Sequence, residues 1–130
     1  YKRQCNAYGL PAHFHGFLPR NEVFDIYRKS QFLLLPSTAS EGFPKVIAEA
    51  SNFGCIPVVS SVSAIGQYVM DGENGFILTS VDSEGMREKL QQILNLTDSA
   101  YMEILKQTQN FVMAFTFEHY TQRILSELLS

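Results

Sequence analysis

Gln31-Phe32-Leu33-Leu34-Leu35, ended by Pro36, is a short continuous apolar run, and residues 56–60, introduced by Gly54 and Cys55, are the next predicted strand. Short unbroken runs of this kind are the mark of parallel strands buried on both faces, because helices on each side leave such a sheet no solvated face. Between them Val46, Ile47, Ala50 and Phe53 recur on one face of a predicted helix. It begins near Pro44, whose fixed φ suits a first turn, and ends at Gly54, where a left-handed cap belongs. Strand, polar loop, helix and strand in that order make a parallel pair with a crossover. This unit restricts the chain to the α/β class.

The flanking sequence repeats the alternation. Residues 12–17 are a predicted strand and residues 22–29 a short helix capped by Asn21. Residues 63–70 are a predicted short helix, 71–75 a turn by composition and 76–79 a further strand. The predicted architecture is α/β, a doubly wound parallel sheet with a helical carboxyl-terminal tail. Three amphipathic faces mark that tail: Met86, Leu90, Ile93 and Leu94 after a Ser83 cap; Tyr101, Ile104, Leu105, Phe111 and Val112; and Tyr120, Ile124, Leu125, Leu128 and Leu129. No repeats or low-complexity linkers interrupt residues 1–130, which read as a single domain.

The chemistry concentrates after the first apolar run. Open α/β sheets bind ligands at the carboxyl ends of their strands. There Glu41 stands just ahead of the signature helix and Glu49 inside it. The helix start offers N–H donors and the positive end of the macrodipole, which favour an anion such as a diphosphate. Gly42 allows close backbone approach. The eight positions from Glu41 to Glu49 would span about 12 Å at about 1.5 Å per helical residue, beyond the roughly 5–9.5 Å of a glycosidase carboxyl pair. The two glutamates therefore read as separate ligand contacts. Simpler roles exist for each: Glu41 as an acid at a helix start, Glu49 as an i,i+4 partner of Lys45, Ser37 as a loop-capping hydroxyl.

The string PSTASEGFPKVIAEA, with FGCIPVVSS and DGENGFIL after it, resembles the carboxyl-terminal donor-binding domain of retaining GT-B glycosyltransferases of family 4, the glycosyl transferases group 1. Glu41 and Glu49 match that family's Glu-x7-Glu element, and the likeness runs from about Phe14 to the last helix. It implies that Glu41, as the catalytic-site acid, contacts a donor-sugar hydroxyl, that backbone following it at Gly42, Phe43 and Pro44 meets sugar and phosphates, and that Glu49 accepts bonds from ribose hydroxyls. Ionised carboxylates accept only and can orient two neighbouring hydroxyls; Pro44, with no N–H, contributes shape. Ser37, Lys45 and Val46 complete the expected donor set, and Gly16, Phe17 and Leu18 are expected beside the nucleotide base.

The resemblance further implies a nucleotide-sugar donor (UDP-, GDP- or ADP-linked), front-face retaining hexosyl transfer with no required cofactor or metal, and a saccharide or lipid-linked acceptor. The acceptor would be bound by an amino-terminal domain outside this chain, as would the upstream Arg and Lys that neutralise the diphosphate. Residues 1–130 are then an incomplete carboxyl-terminal domain, inactive alone, whose bare sheet edges are met by preceding sequence or by a second copy in a homodimer. Gln67 stands where the family has a glutamate. A non-catalytic nucleotide-sugar-binding or regulatory module is the alternative.

Composition narrows the partners. With 45% hydrophobic and 18% charged residues the chain of 130 residues can bury a core. A net charge of −3 gives no electrostatic case for nucleic acid or a membrane surface, and the chain shows no apolar run of spanning length and no signal-like start. The resemblance implies a cytoplasmic setting in surface-polysaccharide synthesis, at the inner face of the membrane through the absent domain. Cys5 and Cys55 lack metal spacing. His13 and His15 share a face of the predicted strand, but no third ligand accompanies them, so no metal site is expected.

Overall fold

The computed structural model describes residues 2–39, 42, 44–62, 64–115, 121–122 and 125–126. The two apolar runs form β1 (Phe32–Leu35) and β2 (Ile56–Val59), paired in parallel with Phe32 opposite Ile56 and Leu35 opposite Val59. A third strand, β3 (Phe76–Ile77), joins β2 in parallel, giving the order β1-β2-β3. The crossovers are α3 (Lys45–Asn52) and α4 (Ile65–Tyr68). Ahead of the sheet lie α1 (Lys2–Ala7) and α2 (Arg20–Lys29); after it come α5 (Ser83–Leu94) and α6 (Asp98–Val112), the latter running into a 3-10 turn at Met113–Phe115.

Strand alternation divides the core into two layers. Ile56, Val58, Phe76 and Leu78 pack with Ile93 of α5 and Ile104 of α6, whereas Val59 packs with Ile47 of α3 and Ile65 of α4, joined by Leu33, Leu35 and Ile77. Helices cover both faces, so the sheet is doubly wound as expected. A third cluster, Tyr27, Ala50 and Cys55 with Phe24 and Phe53, seats α2 on α3. Cys55 is more than a small apolar filler: its buried thiol donates to the carbonyls of Tyr27 and Ser30 at the end of α2, and burial pushes its pKa up.

Several predicted details are corrected. Residues 12–17 form no strand; a strand needs a ladder partner, and none of the described segments pairs with this one, leaving Phe14 and Phe17 in solvent. Asn21 lies inside α2, whose N-cap position is Pro19. Pro44 is the N-cap residue of α3 rather than its first turn, while Gly54 takes the expected left-handed conformation after the helix, φ +91°. Asp82, not Ser83, caps α5 by accepting from the Gly85 N–H at 2.8 Å. On α5 the inward face is Met86, Lys89 and Ile93, and Leu90 and Leu94 are exposed. The second tail face turns inward on α6, with Ile104 and Val112 buried and Tyr101, Leu105 and Phe111 half-buried. Of the third, Tyr120, Ile124, Leu128 and Leu129 lie outside the described residues, and Leu125 is helical and exposed.

Residues 71–75 are a turn held from within. The Asn74 side chain accepts from the Met70 N–H (2.7 Å) and donates to the Tyr68 carbonyl (2.8 Å). Asp71 accepts from the Ile77 N–H at 2.7 Å and from the buried ammonium of Lys89 at 3.0 Å. No helix among the described residues is long and apolar enough to cross a membrane.

Candidate functional site

The polar loop of residues 36–44 leaves the carboxyl end of β1, the position where open parallel sheets hold ligands. It is tied to the neighbouring strand: the Ser60 hydroxyl, just past β2, donates to the Ser37 carbonyl. Ser37 itself caps the loop, its hydroxyl accepting from the Ala39 N–H at 3.3 Å. Gly42 is exposed with φ +36°, and no atom lies within 4 Å of where a Cβ would stand, so the residue is required by conformation and not by crowding. Glu41 and Phe43 lie outside the described residues.

At the helix that follows, Pro44 is half buried and Lys45 is exposed, with no ion pair to Lys45 among the described residues. Val46 is spent on packing against both the α3–α4 layer and the α2–α3 cluster. The Ile47 N–H already donates to the Pro44 carbonyl at 3.1 Å, which leaves the N–H groups of Lys45 and Val46 without an intrahelical acceptor.

Glu49 is half buried on α3, and its partner is not Lys45. Arg20, the first residue of α2, donates from Nη2 to Glu49 Oε1 at 3.3 Å. The guanidinium lies 5.0 Å from the centre of the Phe24 ring. Tyr27, buried below, has its pKa raised by burial first and then by the Glu49 and Cys55 charges. Leu18 stands two residues before Arg20, a backbone reach of about 7 Å at most. Phe17, in the same segment, is 99% exposed. Sequence reasoning missed Arg20 because 29 positions separate it from Glu49 and no spacing rule joins them.

His13 and His15 have ring centres 6.4 Å apart. Among the described residues no group of three or more His, Cys, Asp or Glu could hold a metal ion. Gln67 is exposed on α4.

The fold is that of a doubly wound parallel α/β domain, and comparison with known proteins is more specific. Residues 1–111 match the model of the family Glycosyl transferases group 1. The chain belongs to that family, whose domain is of the GT-B type. An uncharacterized glycosyltransferase of Methanocaldococcus jannaschii is 32% identical over 75 residues, covering 58% of this chain and 21% of its own length. One of Haemophilus influenzae is 37% identical over 83 residues, covering 62% and 23%. The chain thus spans about a fifth of the length of the curated relatives it matches. Among solved structures, Anabaena HepE in complex with UDP-glucose superposes with a TM-score of 0.78 at 23% identity, over 98% of this chain and 35% of that one. Sucrose-phosphate synthase of Thermosynechococcus elongatus gives 0.76 at 22%, over 98% and 33%. These similarities establish the fold.

Proposed function

We propose that this chain is the donor-binding part of a retaining, family 4 glycosyltransferase that moves a hexosyl group from a nucleotide sugar to a saccharide or lipid-linked acceptor. Residues 1–130 would form part of the carboxyl-terminal domain of a two-domain enzyme, the acceptor being bound by the other. The observation that supports the reading is the contact between Arg20, at the start of α2, and Glu49 on α3, the helix that follows the loop leaving the carboxyl end of β1. A carboxylate with a free oxygen is suited to two ribose hydroxyls, the exposed Phe17 ring to a base, and the start of α3 to phosphate charge. Glu41 would orient the sugar, with Gly42, Phe43, Pro44, Lys45, Val46 and Ser37 lining its approach. Catalysis would consist of positioning and of stabilising the departing nucleoside diphosphate. HepE, a relative in fold, was solved with UDP-glucose, which makes a UDP-sugar the first donor to try.

The test is an NMR amide titration of the chain with UDP-glucose, UDP-N-acetylglucosamine and GDP-mannose, repeated on Glu49→Ala. Shifts are expected at Gly16, Phe17, Leu18, Gly42, Lys45 and Val46. Hydrogen bonds to a charged group are worth about 1.5–3 kcal/mol, so Glu49→Ala should weaken binding roughly 10- to 100-fold. An unchanged titration in that variant would remove Glu49 from the donor site.

A further inference from the structure

We propose that Arg20 is a positioning residue that holds Glu49 ready for the ribose, an inference that rests on the donor-site reading above. The guanidinium reaches Glu49 from another helix, and three features make the contact more than a passing surface pair. Arg20 is steadied over the ring of its own i+4 neighbour Phe24, 5.0 Å from the ring centre. Phe24 is fixed in turn, its ring centre 4.8 Å from that of Phe53 at the end of α3, so the cation is carried by the seam that joins α2 to α3. And the contact takes a single carboxylate oxygen: Arg20 Nη2 bonds Oε1 at 3.3 Å, and no hydrogen bond to Oε2 is formed among the described residues.

A carboxylate has about four acceptor positions. Held by one N–H, Glu49 keeps most of them for hydroxyl donors while its side chain is prevented from wandering. Lys45, the i−4 neighbour that could have folded over Glu49 on the same helix, makes no such pair among the described residues. The guanidinium is 77% exposed on its side chain and Glu49 38%. Exposed pairs contribute little to stability, so removing Arg20 should be felt in ligand recognition far more than in folding.

The test uses the full-length protein and three ligand pairs, UDP and 2′-deoxy-UDP, GDP and 2′-deoxy-GDP, ADP and 2′-deoxy-ADP, titrated calorimetrically against wild type, Arg20→Ala, Arg20→Lys and Glu49→Ala. For the diphosphate that binds, loss of the 2′-hydroxyl should weaken wild-type binding. Arg20→Ala should weaken the ribose form roughly three- to fivefold, leave the deoxy form less affected and so narrow the ratio between them, with an unchanged melting temperature; Arg20→Lys should recover most of the difference. A merely structural role would lower both ligands equally or lower the melting temperature. If Glu49→Ala abolishes the ribose preference and Arg20→Ala leaves it intact, the positioning role is wrong and the donor site stands. If no diphosphate binds, or Glu49→Ala changes nothing, the donor-site reading fails and this inference with it.

Discussion

Residues 71–75 lead into β3 and residues 36–44 lead out of β1; in both stretches an acidic residue stands directly before a glycine, Asp71-Gly72 in one and Glu41-Gly42 in the other. In the first, the polar side chains are turned on the protein itself. Asn74 bridges Met70 and Tyr68, its carbonyl accepts the Thr108 hydroxyl at 3.0 Å, and Asp71 serves both the Ile77 N–H and Lys89. The second stretch uses Ser37 to fix its first residues and Ser60 to anchor them, then presents Gly42 with nothing near it. The difference teaches that a glycine and an acid at a strand end do not by themselves make a site. What marks the closed turn is that its polar atoms are already used and that it lies at the amino end of its strand.

Substituting the two kinds of glycine should break the comparison most visibly. A Cβ on Gly75 would sit 2.7 Å from Val69 Cγ1 and 2.9 Å from the Pro57 carbonyl oxygen. Backbone cannot yield as a flexible side chain can, so Gly75→Ala should cost about 3 kcal/mol, the upper range for overpacking. Gly42→Ala meets no neighbour and should cost about 1 kcal/mol from its left-handed φ alone, while altering nucleotide binding. Urea denaturation of both variants measures the contrast; equal losses would mean that the two stretches are built alike.

A smaller effect separates the two partners of the Asp71–Lys89 ion pair. Lys89 is buried, its side chain 6% exposed, whereas the Asp71 side chain is 46% exposed. Asp71→Asn leaves a buried cation without its counter-charge and should cost about 2 kcal/mol, below the 3–5 kcal/mol of a fully buried pair because Asp71 is half in water. Lys89→Met leaves only a carboxylate that water can reach, and should cost less than half as much. Should Lys89→Met prove the more damaging by chemical denaturation, the pair would owe its value to the ammonium's packing and not to its charge.

Much of this was legible in the sequence, for a definable reason. The order β1, α3, β2 and the two-sided burial of the strands follow from local runs and periodicity, which a reader can see in consecutive residues. Residues 12–17 fail as a strand because pairing is supplied by other segments. Asp82 and Ser83 are adjacent and both able to cap, and the choice between them depends on the chain path out of β3. Leu90 lies off the inward face of α5 because Lys89 is drawn in by Asp71, 18 residues away. For the candidate site, the position of the 36–44 loop was readable from the strand before it. The pairing of Glu49 with Arg20 was not, since it depends on how α2 settles against α3.

Asp82 tests the comparison at a third strand end. It follows β3 at the same side of the sheet as the 36–44 loop, and its Oδ1 is occupied: the Gly85 N–H and the Ser80 hydroxyl, each at 2.8 Å, hold its pKa below the ordinary carboxylate range, the Gly85 bond first. A carboxyl whose folded pKa is depressed contributes stability that is present above its unfolded pKa and is lost as pH falls through the folded one. Asn is also a good cap, so Asp82→Asn should keep the helix start and remove only the titration. Wild type should therefore be the more stable near neutrality by a small margin that vanishes as the solution is acidified below the ordinary carboxylate range. Thermal melts of both proteins across that interval measure it. A margin independent of pH would mean that the carboxylate is not held by the cap, and Asp82 would then not belong with the closed turn before β3.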